Sequence, residues 1–134
     1  MPNVEIVAFR NSHLDGVLAI CVAEGWPTLP DDPNRAQAML RAANAVTVVA
    51  VDDDTVVGFA FAFEDAGGVD LYLSTMAVVA EYRRRGIGRR LVAALFEESG
   101  ATRMDLLAEP GPESFYGSLP HREFRGFRIY PDSN

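Results

Sequence analysis

The sequence predicts a mixed α/β domain in which consecutive strands form one sheet and a few helices cover it. Runs of β-branched and aromatic residues at 46–51, 55–64 and 69–79 follow one another with only an acidic or glycine-rich turn between them. Such a meander excludes a doubly wound fold, whose strands alternate with helical crossovers. Apolar residues at helical spacing lie before and after the meander, not inside it.

The elements follow in order. VEIVAF alternates apolar and polar residues and reads as a first strand, and Ser12 is placed to cap a helix running to Gly25. The turn-rich WPTLPDD comes next, and Pro33 opens a second helix over NRAQAMLRAAN. VTVVAV and TVVGFAFAFE around DDD form a hairpin, and DAGG leads to a third meander strand, VDLYLSTMAVV. From Ile87, Leu91, Val92, Leu95 and Phe96 recur at helical spacing up to Gly100, a C-cap. TRMDLLA reads as a further strand, PESFYGSL between two prolines as a short helix, and FRGFRIY as a terminal strand.

The 134 residues, 49% hydrophobic and 23% charged, suit one domain spanning 1–134. No run approaches about eighteen apolar residues, so no membrane span is expected. The lone Cys21 excludes an internal disulfide, and the distant His13 and His121 lack zinc-ligand spacing. A cytoplasmic protein without a metal is the expectation. A net charge of −7 favours a cationic partner over nucleic acid.

Against that acidity, EYRRRGIGRRLV at 81–92 gathers five of the twelve arginines around Gly86 and Gly88, where the third helix begins. A helix start carries unpaired N–H groups and partial positive charge, which suits phosphate. Arg89 and Arg90 near the start and Glu97 and Glu98 near the end oppose the helix dipole; a bound polyanion would reverse that sign. The bland alternative is a solvated charged face. A P-loop is excluded because the chain has no lysine, and a dinucleotide fingerprint because Leu91 stands where its third glycine belongs.

MAVVAEYRRRGIGRRLVAAL resembles the signature of the GNAT superfamily of acyl-CoA-dependent N-acetyltransferases: an apolar strand end, a short turn, then Arg-x-x-Gly-x-Gly into a helix, with Arg83, Gly86 and Gly88 at the signature positions. The resemblance implies a mostly antiparallel sheet in which parallel fourth and fifth strands splay apart, and acetyl-CoA as co-substrate lying in the opening. The backbone of Met76, Ala77 and Val78 would pair with the pantetheine chain. The turn of Arg84, Arg85, Gly86, Ile87, Gly88 and Arg89, with Arg83, would take the pyrophosphate.

The resemblance also implies direct acyl transfer to a primary amine of a small molecule or peptide. Val78 N–H would polarise the thioester carbonyl, and Tyr116 of the Phe115-Tyr116 pair would protonate the leaving thiolate. Glu24 and Asp70 are candidates for the general base, beside proton removal through ordered water. Two departures stand out: GSLPHREFR separates Tyr116 from Gly126-Phe127, and Glu109 replaces an asparagine that often contacts CoA. Trp26, Phe61 and Phe63 could border an acceptor pocket, although core packing suits the phenylalanines. A non-catalytic acyl-CoA-binding module is the alternative, and family members often dimerise.

Overall fold

The computed structural model describes residues 3–65, 67–108 and 113–131. Its elements are β1 (Val4–Ala8), α1 (Leu14–Glu24), α2 (Pro33–Leu40), β2 (Ala45–Asp52), β3 (Thr55–Glu64), β4 (Asp70–Val78), α3 (Ile87–Ser99), β5 (Arg103–Asp105) and α4 (Glu113–Gly117). Short 3-10 turns at Asn11–His13 and Ala80–Tyr82 precede α1 and follow β4. The five strands form one sheet in the order β1-β2-β3-β4-β5, antiparallel except for the parallel pair β4 and β5. The meander is therefore present, and the one helical crossover, α3, makes the one parallel pair.

Both faces of the sheet are covered because its central strands are apolar on both sides. On one face α3 buries Ile87, Leu91 and Leu95 against Val48, Ala60, Leu71 and Leu73. On the other, α1 and α2 bury Val17, Ile20, Cys21, Ala36 and Leu40 against Val49, Phe59, Phe61 and Ala77. Phe61 thus serves core packing, Phe63 packs beside it with ring centroids 4.6 Å apart, and Trp26 closes the edge of the same layer.

Three expectations need correction. Ser12 is exposed and caps nothing; the chain enters α1 through a 3-10 turn in which His13 Nδ1 accepts from the Arg10 N–H at 3.0 Å. The buried His13 closes that turn on its upstream side and makes no side-chain bond to the first N–H groups of α1. The fifth strand stops at Asp105 instead of continuing to Ala108. FRGFRIY is not a strand: residues 121–130 carry no regular structure, with Phe124, Phe127, Ile129 and Tyr130 all exposed. A strand forms only against a partner ladder, and β5 is only three residues long.

The buried His13 carries a pH dependence. Burial, then the Arg10 charge, push its imidazole below the ordinary histidine value of 6.5. The folded state therefore disfavours the protonated form, and the stability linked to neutral His13 is present above 6.5 and lost as pH falls below it. Urea midpoints are expected to fall as the pH drops below 6.5 in the wild type, and to fall less in His13→Asn, whose amide oxygen can accept the same bond without titrating.

Candidate active site

β5 pairs with β4 only from Asp70 to Tyr72, opposite Arg103 to Asp105, so the remaining edge of β4 up to Val78 has no strand beside it. A register shift opposite Phe61 and Ala62 leaves Ser74 without a cross-strand partner, a bulge at the mouth of the opening. Beyond it the register is regular. Val79 N–H donates to Val57 O on β3 at 2.9 Å. Because successive residues point their backbone groups to opposite sides of a strand, Met76 and Val78 face the open edge while Ala77 faces β3. Of the three backbone positions expected to pair with a ligand, Met76 and Val78 thus face the open edge and Ala77 does not.

Where β4 ends, the chain turns into α3 through residues in left-handed conformation, Arg84 at φ 63° and Gly86 at φ 78°. Nothing lies within 4 Å of a Cβ added at Gly86, so glycine is needed there for its conformation and the space above it is open. The N–H groups of residues 84 to 89 find no acceptor among the described residues. Such a run of unpaired donors at a helix start is chemically suited to an anion. Ile87 contributes only backbone to it, its side chain being buried under the sheet.

The arginines are not a uniform solvated face. Arg83 Nε donates to Val78 O at 2.9 Å, and its terminal nitrogen donates to both carboxylate oxygens of Glu24 at 3.2 Å. Arg85 stacks 5.0 Å over the ring of Tyr82, whose hydroxyl donates to Asp52. Arg89 reaches Ser118 Oγ at 3.4 Å, and Arg90 turns away to the Val4 carbonyl of β1 at 2.9 Å. Arg84 has no side-chain partner among the described residues, and its guanidinium is exposed beside the turn.

Gly88 explains how Phe115 and Tyr116 come to this place. A Cβ at 88 would stand 3.2 Å from the Phe115 ring, so glycine lets the ring lie against the first turn of α3 without the small displacement that a side chain there would demand. Tyr116 stacks edge-on with Phe115 and packs half-buried against the same core layer as Met76 and Val78. Burial pushes its hydroxyl above the ordinary tyrosine value of 10.0, so it holds its proton at neutral pH. That is the protonation state a general acid needs.

The two base candidates fare differently. Glu24 ends α1 and is held by Arg83. Asp70 begins β4, eight residues before Val78 and so roughly 26 Å from it at about 3.3 Å per residue; the fold separates it from the turn. Burial first, then the neighbouring Asp105, push the Asp70 carboxyl upward against the opposing pull of Arg103. Its Oδ1 lies 3.4 Å from Arg103 Nε without making a hydrogen bond. His121 is exposed with its Nδ1 on the Leu119 carbonyl, and Glu109 lies outside the described residues.

Sequence reasoning missed the Arg83 contact to Glu24, which spans 59 positions and has no sequence signal, and the Gly88 contact to Phe115. A concavity of about 430 Å³ lined by Asn34, Gln37, Ala38 and Arg41 belongs to α2 and shares no residue with the open edge. Among the described residues no group of acidic, cysteine or histidine side chains could hold a metal, and no helix is long and apolar enough to cross a membrane.

The same fold recurs in solved structures. The aminoglycoside N-acetyltransferase AAC(6')-Iy, solved with CoA, is similar with a TM-score of 0.80 and 21% identity, covering 98% of this chain and 96% of that one. The aminoglycoside 6'-N-acetyltransferase AAC(6')-Ih of Acinetobacter baumannii matches with a TM-score of 0.77 and 20% identity over 98% and 99%. The ribosomal-protein-alanine N-acetyltransferase of Brucella melitensis matches at 0.76 and 19% over 95% and 98%. These likenesses establish the fold. No curated protein matches the sequence. The model of the Acetyltransferase (GNAT) family matches residues 10–111, three quarters of the chain and all of the splay and the glycine turn, and the chain accordingly belongs to the GNAT family of acetyl-CoA-dependent N-acetyltransferases.

Proposed function

We propose that the protein transfers an acetyl group from acetyl-CoA directly to a primary amine of a small molecule or peptide. The carrying observation is the run of unpaired N–H groups from residue 84 to 89 continuous with the open edge of β4. The residues fit the co-substrate: Arg84, Arg85, Gly86, Ile87, Gly88 and Arg89 would hold the pyrophosphate through backbone donors and nearby charge, and Met76 and Val78 would pair with the pantetheine amides. Bound acetyl-CoA supplies an activated thioester.

The chain's own groups supply the rest. Val78 N–H, pointing to the open edge, is placed to polarise a carbonyl. Tyr116 O–H, kept protonated by burial, gives its proton to the departing thiolate. The acceptor amine must arrive neutral, and its proton leaves through ordered water, since Asp70 lies at the far end of β4 and Glu24 is engaged by Arg83. The acidic surface favours approach of cationic amines, and the similar structures include enzymes whose names specify aminoglycosides and a ribosomal-protein alanine.

The protein is also proposed to work as a homodimer. Phe124, Phe127, Ile129 and Tyr130 are 60–86% exposed on a terminal segment where Arg122, Arg125 and Arg128 face only Glu123 in charge, while the rest of the chain is acidic. At roughly 150–250 Å² for a large aromatic side chain, this patch approaches 500 Å² per copy, near the lower bound of a specific interface when doubled.

Calorimetric titration with acetyl-CoA is expected to show binding at micromolar strength or tighter for the wild type, and at least tenfold weaker binding for Gly86→Glu. Absence of wild-type binding would defeat the proposal. In an amine panel Tyr116→Phe is expected to lose roughly a hundredfold in kcat at unchanged acetyl-CoA affinity; binding without turnover of any amine would favour a sensing module. In sedimentation the wild type is expected at dimer mass and Phe127→Asp at monomer mass.

A further inference from the structure

Resting on the acetyl-transfer reading, we infer that Glu24 is a positioning residue for the acetyl-CoA seat and not the proton acceptor. It holds Arg83 in the pose that fixes the end of β4.

The geometry has three parts. Arg83 leaves the 3-10 turn in extended conformation, with φ −69° and ψ 158°, and its guanidinium folds back over the chain. Its Nε takes the Val78 carbonyl at 2.9 Å, which by strand alternation points to the open edge. Its terminal nitrogen is divided between the two Glu24 oxygens, each at 3.2 Å. One side chain thus clasps the end of β4, the approach to the glycine turn, and the last residue of α1.

This clasp decides what the open edge offers. With the Val78 carbonyl already accepting from Arg83, the edge beyond the bulge presents, among the described residues, two donors without a partner, Met76 N–H and Val78 N–H, and one such acceptor, Met76 O. The peptide that carries the Val78 carbonyl is held in orientation, and with it the strand end from which the turn departs. Without Glu24, Arg83 is free to swing toward solvent and release that peptide.

Glu24 is also in the wrong place for a helical carboxylate. The C-terminal end of a helix disfavours negative charge, and the last turn of α1 contains no basic residue to offset it. The partner comes from 59 positions away. Its side chain is 28% exposed and that of Arg83 52%, so the pair contributes little to global stability. A residue that breaks the local rule without stabilising the fold, yet holds the signature arginine, acts on the seat.

The test is a cycle of Glu24→Gln, Arg83→Gln and the double variant, titrated with acetyl-CoA, with melting temperatures and pH profiles of kcat on an amine the wild type acetylates. Glu24→Gln is expected to weaken acetyl-CoA binding about two- to fivefold, with melting nearly unchanged and the acidic limb of the kcat profile retained. Arg83→Gln is expected to weaken binding more, and the double variant no further than Arg83→Gln alone. Glu24→Asp, too short to keep both contacts, should resemble Glu24→Gln. The inference is overturned if Glu24→Gln binds acetyl-CoA as the wild type does, if the two losses add, or if kcat collapses and its acidic limb disappears, which would make Glu24 the base. A wild type that fails to bind acetyl-CoA overturns the acetyl-transfer reading itself and this inference with it.

Discussion

β4 and β5 stay hydrogen-bonded for only three residue pairs, and the rest of the molecule is arranged around their parting. A parallel pair requires a crossover, which α3 supplies, and the crossover begins where β4 has already lost its neighbour. The backbone groups of Met76 and Val78 are therefore exposed on an edge in the middle of the sheet, where a closed sheet would have consumed them. The bulge at Ser74 marks the start of that edge. Unpaired strand groups invite pairing with another extended chain, and here the strand runs on along the chain to the donors of the α3 start.

Charge follows the same geometry. Five arginines in a row of twelve residues look like one patch, yet the fold gives them separate tasks: Arg90 ties α3 to β1, Arg85 covers Tyr82, Arg83 clasps Val78 and Glu24, and Arg89 reaches Ser118. Arg84 remains beside the donors. The helix dipole and the unpaired N–H groups favour an anion there without much help from side chains, so the acidic balance of the remaining surface is compatible with a phosphate-bearing co-substrate.

Packing also governs Tyr116, the proposed proton donor. The missing side chain at residue 88 lets the Phe115 ring lie close against α3, and Tyr116 packs on the same core layer as Met76 and Val78. Burial then raises the hydroxyl's affinity for its proton. A single close contact thus brings the aromatic pair to the glycine turn.

Local chemistry was enough for the sequence to determine the strands of the meander, the two-layer apolar pattern of α1, α2 and α3, and the Gly86 turn, because alternation, helical spacing and a left-handed glycine are properties of neighbouring residues. The turn around Arg83, Gly86 and Gly88 stood out in the sequence for the same reason, and Tyr116 was singled out only through the family's pattern. Other features depend on residues far apart in the chain. Where β5 stops, whether FRGFRIY finds a ladder, that Asp70 lies at the far end of β4, and that Glu24 meets Arg83 were decided by the tertiary structure. Each depends on which segments the sheet brings side by side, and no local spacing encodes that.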